Sequence, residues 1–207
     1  MEKSKKDRKL RKIVFLLIML LIAGCSVEKE KVGVKKMGEI LVIVAQKDFQ
    51  PVEYGDTKAE LEKAGYDIDV ASIKTDVAVG ADNSEVKPDV AVKDADLSKY
   101  KAIVLIGGPG AHKLGEYDEV LDLIKEADKQ GKVAAAICIA PTILAKAGVL
   151  EGRKATVWNG DGKQGDVLTS AGAEFIDESV VQDGKIVTAN GPAAAKDFGK
   201  KIVEVLG

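Results

Sequence analysis

Histidine is almost absent from this chain: among 207 residues there is one, His112. Tryptophan also occurs once, as Trp158, and aromatic residues make up only 4% of the sequence. Cysteine occurs twice, as Cys25 and Cys138. With so little imidazole and thiol, no His/Cys cluster of metal-ligand spacing can be drawn, and no cofactor motif is present. The glycine loop Gly107-Gly108-Pro109-Gly110 is not followed by Gly-Lys-Ser/Thr, which argues against a nucleotide P-loop. Lysine and arginine are plentiful, but they are not placed as a nucleic acid would require. Seven of them crowd into residues 1–12, and the chain after Gly24 carries 24 basic against 31 acidic side chains, a net of −7. An acidic body without a basic stripe argues against nucleic acid as a partner.

What is present starts with a targeting segment. The basic residues Lys3 to Lys12 are followed by the uncharged apolar run 13–22. That run falls well short of the roughly 20 apolar residues a spanning helix needs, and it has the length of a signal-peptide core. Leu21-Ile22-Ala23-Gly24-Cys25 resembles the lipobox of prokaryotic lipoproteins, in which the cysteine becomes lipid-modified and the new N-terminus. The expected organisation is therefore a signal peptide over 1–24, a lipidated N-terminus and charged tether over 25–37, and a folded body over 38–207. The mature protein is expected outside the cytoplasm, held to a membrane through Cys25. Cys138 would then be the only thiol left, so no internal disulfide could form. A lone thiol in an oxidising compartment is a liability, and its presence there points to a use.

In the body, residues 39–45, 66–73, 101–106 and 132–137 read as buried strands, with further strands over 154–157 and 185–188. Residues 56–65, 117–130, 141–147 and 192–206 read as helices. Residues 76–93 alternate polar and apolar around Gly80 and Pro88, as in a short antiparallel excursion outside the main sheet. Strands alternating with helices predict an α/β fold with an open, doubly wound, mostly parallel sheet of the flavodoxin-like kind.

The apolar run 133–144 breaks at Cys138 and resumes at Pro141. A β-compatible run before the cysteine and a proline-started helix after it place Cys138 at a strand-to-helix turn. Ala136 and Ala140 are small enough for the tight packing of a nucleophile elbow. A helix N-terminus behind the sulfur favours a thiolate. Taken alone, the residue fits a small buried core cysteine equally well.

Several segments together resemble the ThiJ/PfpI family, the superfamily of the Parkinson disease protein deglycase. They are Asp48-Phe49-Gln50-Pro51-Val52-Glu53 behind the first strand, the Ile106-Gly107-Gly108 loop, and the elbow Ala135-Ala136-Ile137-Cys138. Downstream, Gly165-Asp166-Val167-Leu168, Ala171-Gly172-Ala173-Glu174-Phe175 and Asp183 to Pro192 also match. The resemblance covers about 38–207 and implies a class I glutamine amidotransferase-like fold. It implies Cys138 as nucleophile and Glu53 as its acidic partner, a carboxyl group that donates a hydrogen bond to the thiolate and holds its pKa below the free value of about 8.5. Without the resemblance Glu53 reads as a solvated loop carboxylate. The amides of Gly108 and Ile139 become candidates for an oxyanion hole, and Gly107 and Trp158 for the pocket wall. Trp158 fits the core as readily. No cofactor is implied, and relatives of this kind are usually homodimers or larger.

The chain departs from the family where histidine is concerned. Many members carry histidine directly after the cysteine, where this chain has Ile139, and others supply one where Val157-Trp158-Asn159 stand here. His112 is poorly placed for the base, so a Cys-His peptidase of the PfpI type is disfavoured. The leading expectation is a thiolate enzyme acting on small electrophiles such as reactive carbonyls, or on damaged protein side chains. The alternatives are a redox sensor that works through oxidation of Cys138, and a binding domain that has kept the fold alone.

Overall fold

Ile40 to Ile43 offer no polar side chain to turn toward water, and they form most of β1 (Glu39–Ile43), a strand buried at the heart of a seven-stranded sheet. The structure, a computed structural model, describes residues 37–207. The expected signal peptide, the lipidation site Cys25 and the tether through Lys36 lie outside the described residues. Among the described residues no helix is long and apolar enough to cross a membrane.

After β1 come β2 (Lys47–Phe49), α1 (Pro51–Lys63), β3 (Asp67–Ser72), β4 (Ala78–Gly80), β5 (Glu85–Val86) and β6 (Val90–Ala91). Then follow β7 (Tyr100–Leu105), α2 (Asp118–Lys129), β8 (Val133–Ile137), α3 (Pro141–Lys146), β9 (Lys154–Ala155) and α4 (Gln164–Ser170). β10 (Glu174–Phe175), β11 (Val180–Asp183), β12 (Ile186–Ala189) and α5 (Ala195–Leu206) complete the chain. The main sheet runs β11-β12-β8-β7-β1-β3-β6, and every pairing is parallel except β11 with β12. From β1 the chain winds outward to β3 and then returns to β7 on the other side, so the order reverses between β1 and β7. Ligands bind beyond the carboxyl ends of strands at such a reversal.

The sheet is closed in by helices. α1 and α5 lie together, so close at Gly199 that a Cβ there would sit 2.9 Å from Glu60 Cβ and 3.2 Å from Thr57 O. α5 also packs on β8 and β12, whereas α2 and α3 contact β8 as a second pair. All five residues of β8 are buried, and the three alanines among them leave room for these close approaches.

Three expectations need correction. The first helix starts at Pro51, not near residue 56, because the Gln50 side chain caps it and proline suits its first turn. Over 76–93 the antiparallel pair β4–β5 does form and pairs with β2, but Val90–Ala91 returns to the main sheet as its edge. Residues 154–157 supply only the two-residue β9, which pairs with β10 in a small separate sheet. In the main sheet its place next to β12 is taken by β11, joined through a tight turn at Gly184 with φ 56°.

Candidate active site

Cys138 follows β8 directly and stands three residues before α3. Its φ is 63°, a left-handed conformation that costs a side-chain-bearing residue of order 1 kcal/mol. Two backbone hydrogen bonds hold it there: its N–H donates to Ala189 O at 2.8 Å, and its carbonyl accepts from the Trp158 N–H at 2.8 Å. The turn lifts the sulfur toward the loop after β7. A Cβ on Gly107 would lie 2.4 Å from Cys138 Cβ and 2.7 Å from Glu53 Oε2, so only glycine lets the three groups converge. Gly107 thus serves close packing beside the sulfur and does not itself line the cavity, whereas Gly108 and Gly110 let the loop approach the backbone of residues 47–50.

Glu53 arrives from the opposite side, on the first turn of α1. Gln50 Oε1 accepts from the N–H groups of Val52 at 2.6 Å and Glu53 at 3.1 Å, satisfying two of the free donors of the helix start. The Gln50 N–H donates to Gly107 O at 2.9 Å, and the Gly107 N–H donates to Glu53 Oε2 at 3.0 Å. Glu53 is therefore wholly buried, contrary to its reading as a solvated loop carboxylate. The sequence hides this because Gln is an unusual cap and Gly55 interrupts the helical pattern. Oε1 is buried with no hydrogen-bond partner, and the side-chain group that the Glu53 carboxyl interacts with is the Cys138 thiol.

Burial pushes the Glu53 carboxyl up to about 7, against the pull of its hydrogen bonds with Cys138 and the Gly107 N–H. Burial, and next the charge of Glu53, push the Cys138 thiol up to about 12, while the N–H groups of Gly108 and Ile139 stabilise its anion. The expectation of a thiol below 8.5 thus fails for an ionised Glu53: a second negative charge in a dry site is too costly. Between the two values the groups share one proton and carry one charge, and they titrate as a pair. When the carboxyl holds the proton, the charge of Glu53 no longer opposes the thiolate and the two amides support it.

A cavity of about 410 Å³ opens over the sulfur. Gly108, Cys138, Ile139 and Trp158 line it, together with Gln50, Pro109 and Pro192, which carried no assigned role in the sequence. Trp158 is 41% exposed and forms a wall, not core. Beyond it lies a second, more polar hollow of about 390 Å³, bordered by Asn159, Asp177 and Asn190. His112 does not line the cavity; it is exposed, with Nδ1 2.8 Å from Pro109 O. Among the described residues no group of three His, Cys, Asp or Glu is placed to hold a metal ion.

A cysteine elbow facing a buried carboxyl group at the reversal of a doubly wound sheet defines a protein of the class I glutamine amidotransferase-like fold. The description of the family model that matches residues 38–205 is the DJ-1/PfpI family, and the chain belongs to that family. It is 32% identical to an uncharacterised protein of Methanocaldococcus jannaschii over 199 residues, 95% of this chain and 97% of the relative. It is 31% identical to the glutathione-independent glyoxalase DJR-1.2 of Caenorhabditis elegans over 166 residues, 80% of this chain and 87% of that protein. Among solved structures, a ThiJ/PfpI domain protein from Brachyspira murdochii superposes with a TM-score of 0.78 at 32% identity, covering 83% of this chain and 97% of its own. Drosophila melanogaster DJ-1beta gives 0.75 at 31% identity, covering 82% and 90%.

Proposed function

We propose that this protein removes reactive carbonyls by thiolate addition from Cys138, with Glu53 as the proton carrier. The observation that carries the reading is a wholly buried Glu53 carboxyl set against an elbow thiol, at a cavity to which the described residues bring no other acid or base. Relatives of comparable identity are named for the glyoxalase and deglycase reactions, which agrees with this choice of substrate class. The sulfur adds to the carbonyl carbon: an S–C bond forms, the C=O π bond breaks, and the shared proton passes to the oxygen. With a 2-oxoaldehyde, Glu53 as carboxylate then takes the proton from the carbon bearing sulfur and returns it to the neighbouring carbon, while the hydroxyl proton passes to the neighbouring oxygen as the C=O bond reforms on the carbon bearing sulfur. The resulting thioester is cleaved by water, which releases the 2-hydroxy acid and restores the thiol. The N–H groups of Gly108 and Ile139 face the charge that develops near the sulfur. The hollow beyond Trp158 leaves room for carbonyl adducts on larger carriers, such as damaged protein side chains.

Turnover of methylglyoxal by the full chain tests this reading. Wild type should form the 2-hydroxy acid and Cys138→Ala should lose at least about 1000-fold in rate. Turnover that survives in Cys138→Ala would overturn it. The redox-sensor reading requires the reverse pattern, with no turnover and a change in stability or partner binding once Cys138 is oxidised.

The reading extends to the N-terminus, with Cys25 as a lipid anchor outside the cytoplasm. The alignment with the Methanocaldococcus jannaschii protein is long enough to take in most of residues 1–36 as well as the body. Cys25→Ser should block processing and leave the protein out of the membrane fraction of its host. A soluble wild-type product without added lipid mass would refute the anchor.

A further inference from the structure

Gln50 has one half of its side chain committed and the other half free. Its Oε1 is fixed by the Val52 and Glu53 N–H groups, while its NH₂ makes no hydrogen bond to any described residue. The residue is half-buried and lines the cavity over Cys138. Gly108, Pro109, Ile139 and Pro192 bring no polar side chain to that cavity, so recognition of a polar substrate falls on few groups. From this we infer that Gln50 is a specificity-determining donor: its NH₂ receives the oxygen on the carbon next to the one that Cys138 attacks. The site thereby selects electrophiles with a second oxygen beside the reacting centre, such as vicinal dicarbonyls, over simple ones. This deepens the reading of the site given above and rests on it for the nature of the substrate.

Capping alone does not account for glutamine here. Serine or aspartate caps a helix from a shorter side chain, and glutamate would suit the positive end of the helix better. Neither acid offers a donor, and each would place another charge beside the Cys138–Glu53 pair. A planar carboxamide whose oxygen is held by two N–H groups also keeps its NH₂ in a set direction, so the donor is aligned before substrate arrives.

The test is the rate of Cys138 alkylation by iodoacetamide, whose carbonyl oxygen sits next to the attacked carbon, divided by the rate with iodoethane, which has no such oxygen. The ratio cancels changes in thiolate reactivity and does not depend on turnover. In Gln50→Ser, which keeps a neutral cap, the ratio should fall about tenfold, the size of one hydrogen bond, and kcat/KM for methylglyoxal should fall with it. If Gln50→Ser folds poorly, Gln50→Glu retains the cap and should show the same fall. An unchanged ratio in the folded variant would make Gln50 a cap only and overturn the inference. A fall in the ratio in a protein that does not turn over methylglyoxal would leave the donor role standing and overturn the proposed function instead.

Discussion

Two pairs of weak acids are held together inside this protein, one at each end of the sheet, and they are finished differently. Toward the amino end, the Tyr100 hydroxyl donates to Asp69 Oδ2 at 2.8 Å, and the Lys132 Nζ donates to Tyr100 O at 2.6 Å. Burial and then Asp69 hold the phenol well above the usual tyrosine range, so its proton stays in place. At the carboxyl end, Glu53 is wholly buried and Cys138 half-buried, yet one carboxyl oxygen lacks a hydrogen-bond partner and a cavity opens beside the sulfur. A close pair of acids is structural when the proton has one home. It becomes chemical when the proton can pass between the two members and a reactant can reach one of them.

The largest break in this comparison is expected at Glu53. Glu53→Gln should lower the rate on a reactive carbonyl by about 100-fold to 1000-fold, because the amide fills the same space but cannot carry the proton. Tyr100→Phe should leave that rate within about twofold. Steady-state kinetics of the two variants side by side would break the contrast if Tyr100→Phe proved the more damaging.

Stability against pH comes next. The folded-state pKa of Glu53 is raised from 4.5 to about 7, so its contribution to stability is fully present below about 4.5 and is lost as pH rises through about 7. Above that window the fold must enclose a charge, at a cost of about 3 kcal/mol for a shift of this size. Unfolding midpoints in denaturant should therefore fall between pH 4.5 and 7.5 in wild type, and this slope should disappear in Glu53→Gln. An equal slope in both proteins would show that the carboxyl is not the titrating group.

A smaller effect is expected from the other pair. Tyr100→Phe removes one hydrogen bond and should cost about 1 kcal/mol, with no pH dependence between 5 and 9. The smallest effect belongs to His112, exposed and outside the cavity. His112→Ala should change stability by under about 0.5 kcal/mol and leave the rate as it is. A large loss of rate in that variant would move the base away from Glu53.

The elbow could be read from the sequence because each of its signals is local. An alanine-rich strand, a cysteine and a proline-started helix follow one another within nine residues, and the structure has them as β8, Cys138 and α3. Glu53 was harder to read because its state depends on distant groups. Its burial comes from the Gly107 loop more than fifty residues away, and its helix starts at a cap of an unusual residue type. Gln50 carries no local sign of its place at the cavity for the same reason, although it lies inside the segment 48–53 that bears the family resemblance. Tryptophan in a protein with few aromatics suggests core, and only the fold reveals that Trp158 stands at the mouth of the cavity. The edge strands β6 and β11 went unread because short edge pairings are set by the neighbour they join, not by their own pattern.

The hydrogen bond from the Gly107 N–H to Glu53 Oε2 also fixes an address inside the carboxyl group. The carbonyl-type oxygen of a carboxylic acid is the better acceptor, so the N–H assigns that character to Oε2 and leaves the hydroxyl to Oε1. Oε1, which has no hydrogen-bond partner, becomes a donor when it holds the proton, and the Cys138 thiol is the side-chain group with which the carboxyl interacts. The carboxyl hydrogen is thus confined to one oxygen. In the infrared, the site would carry the band of a single, unsplit acid carbonyl, which fades as the pH is raised through about 7.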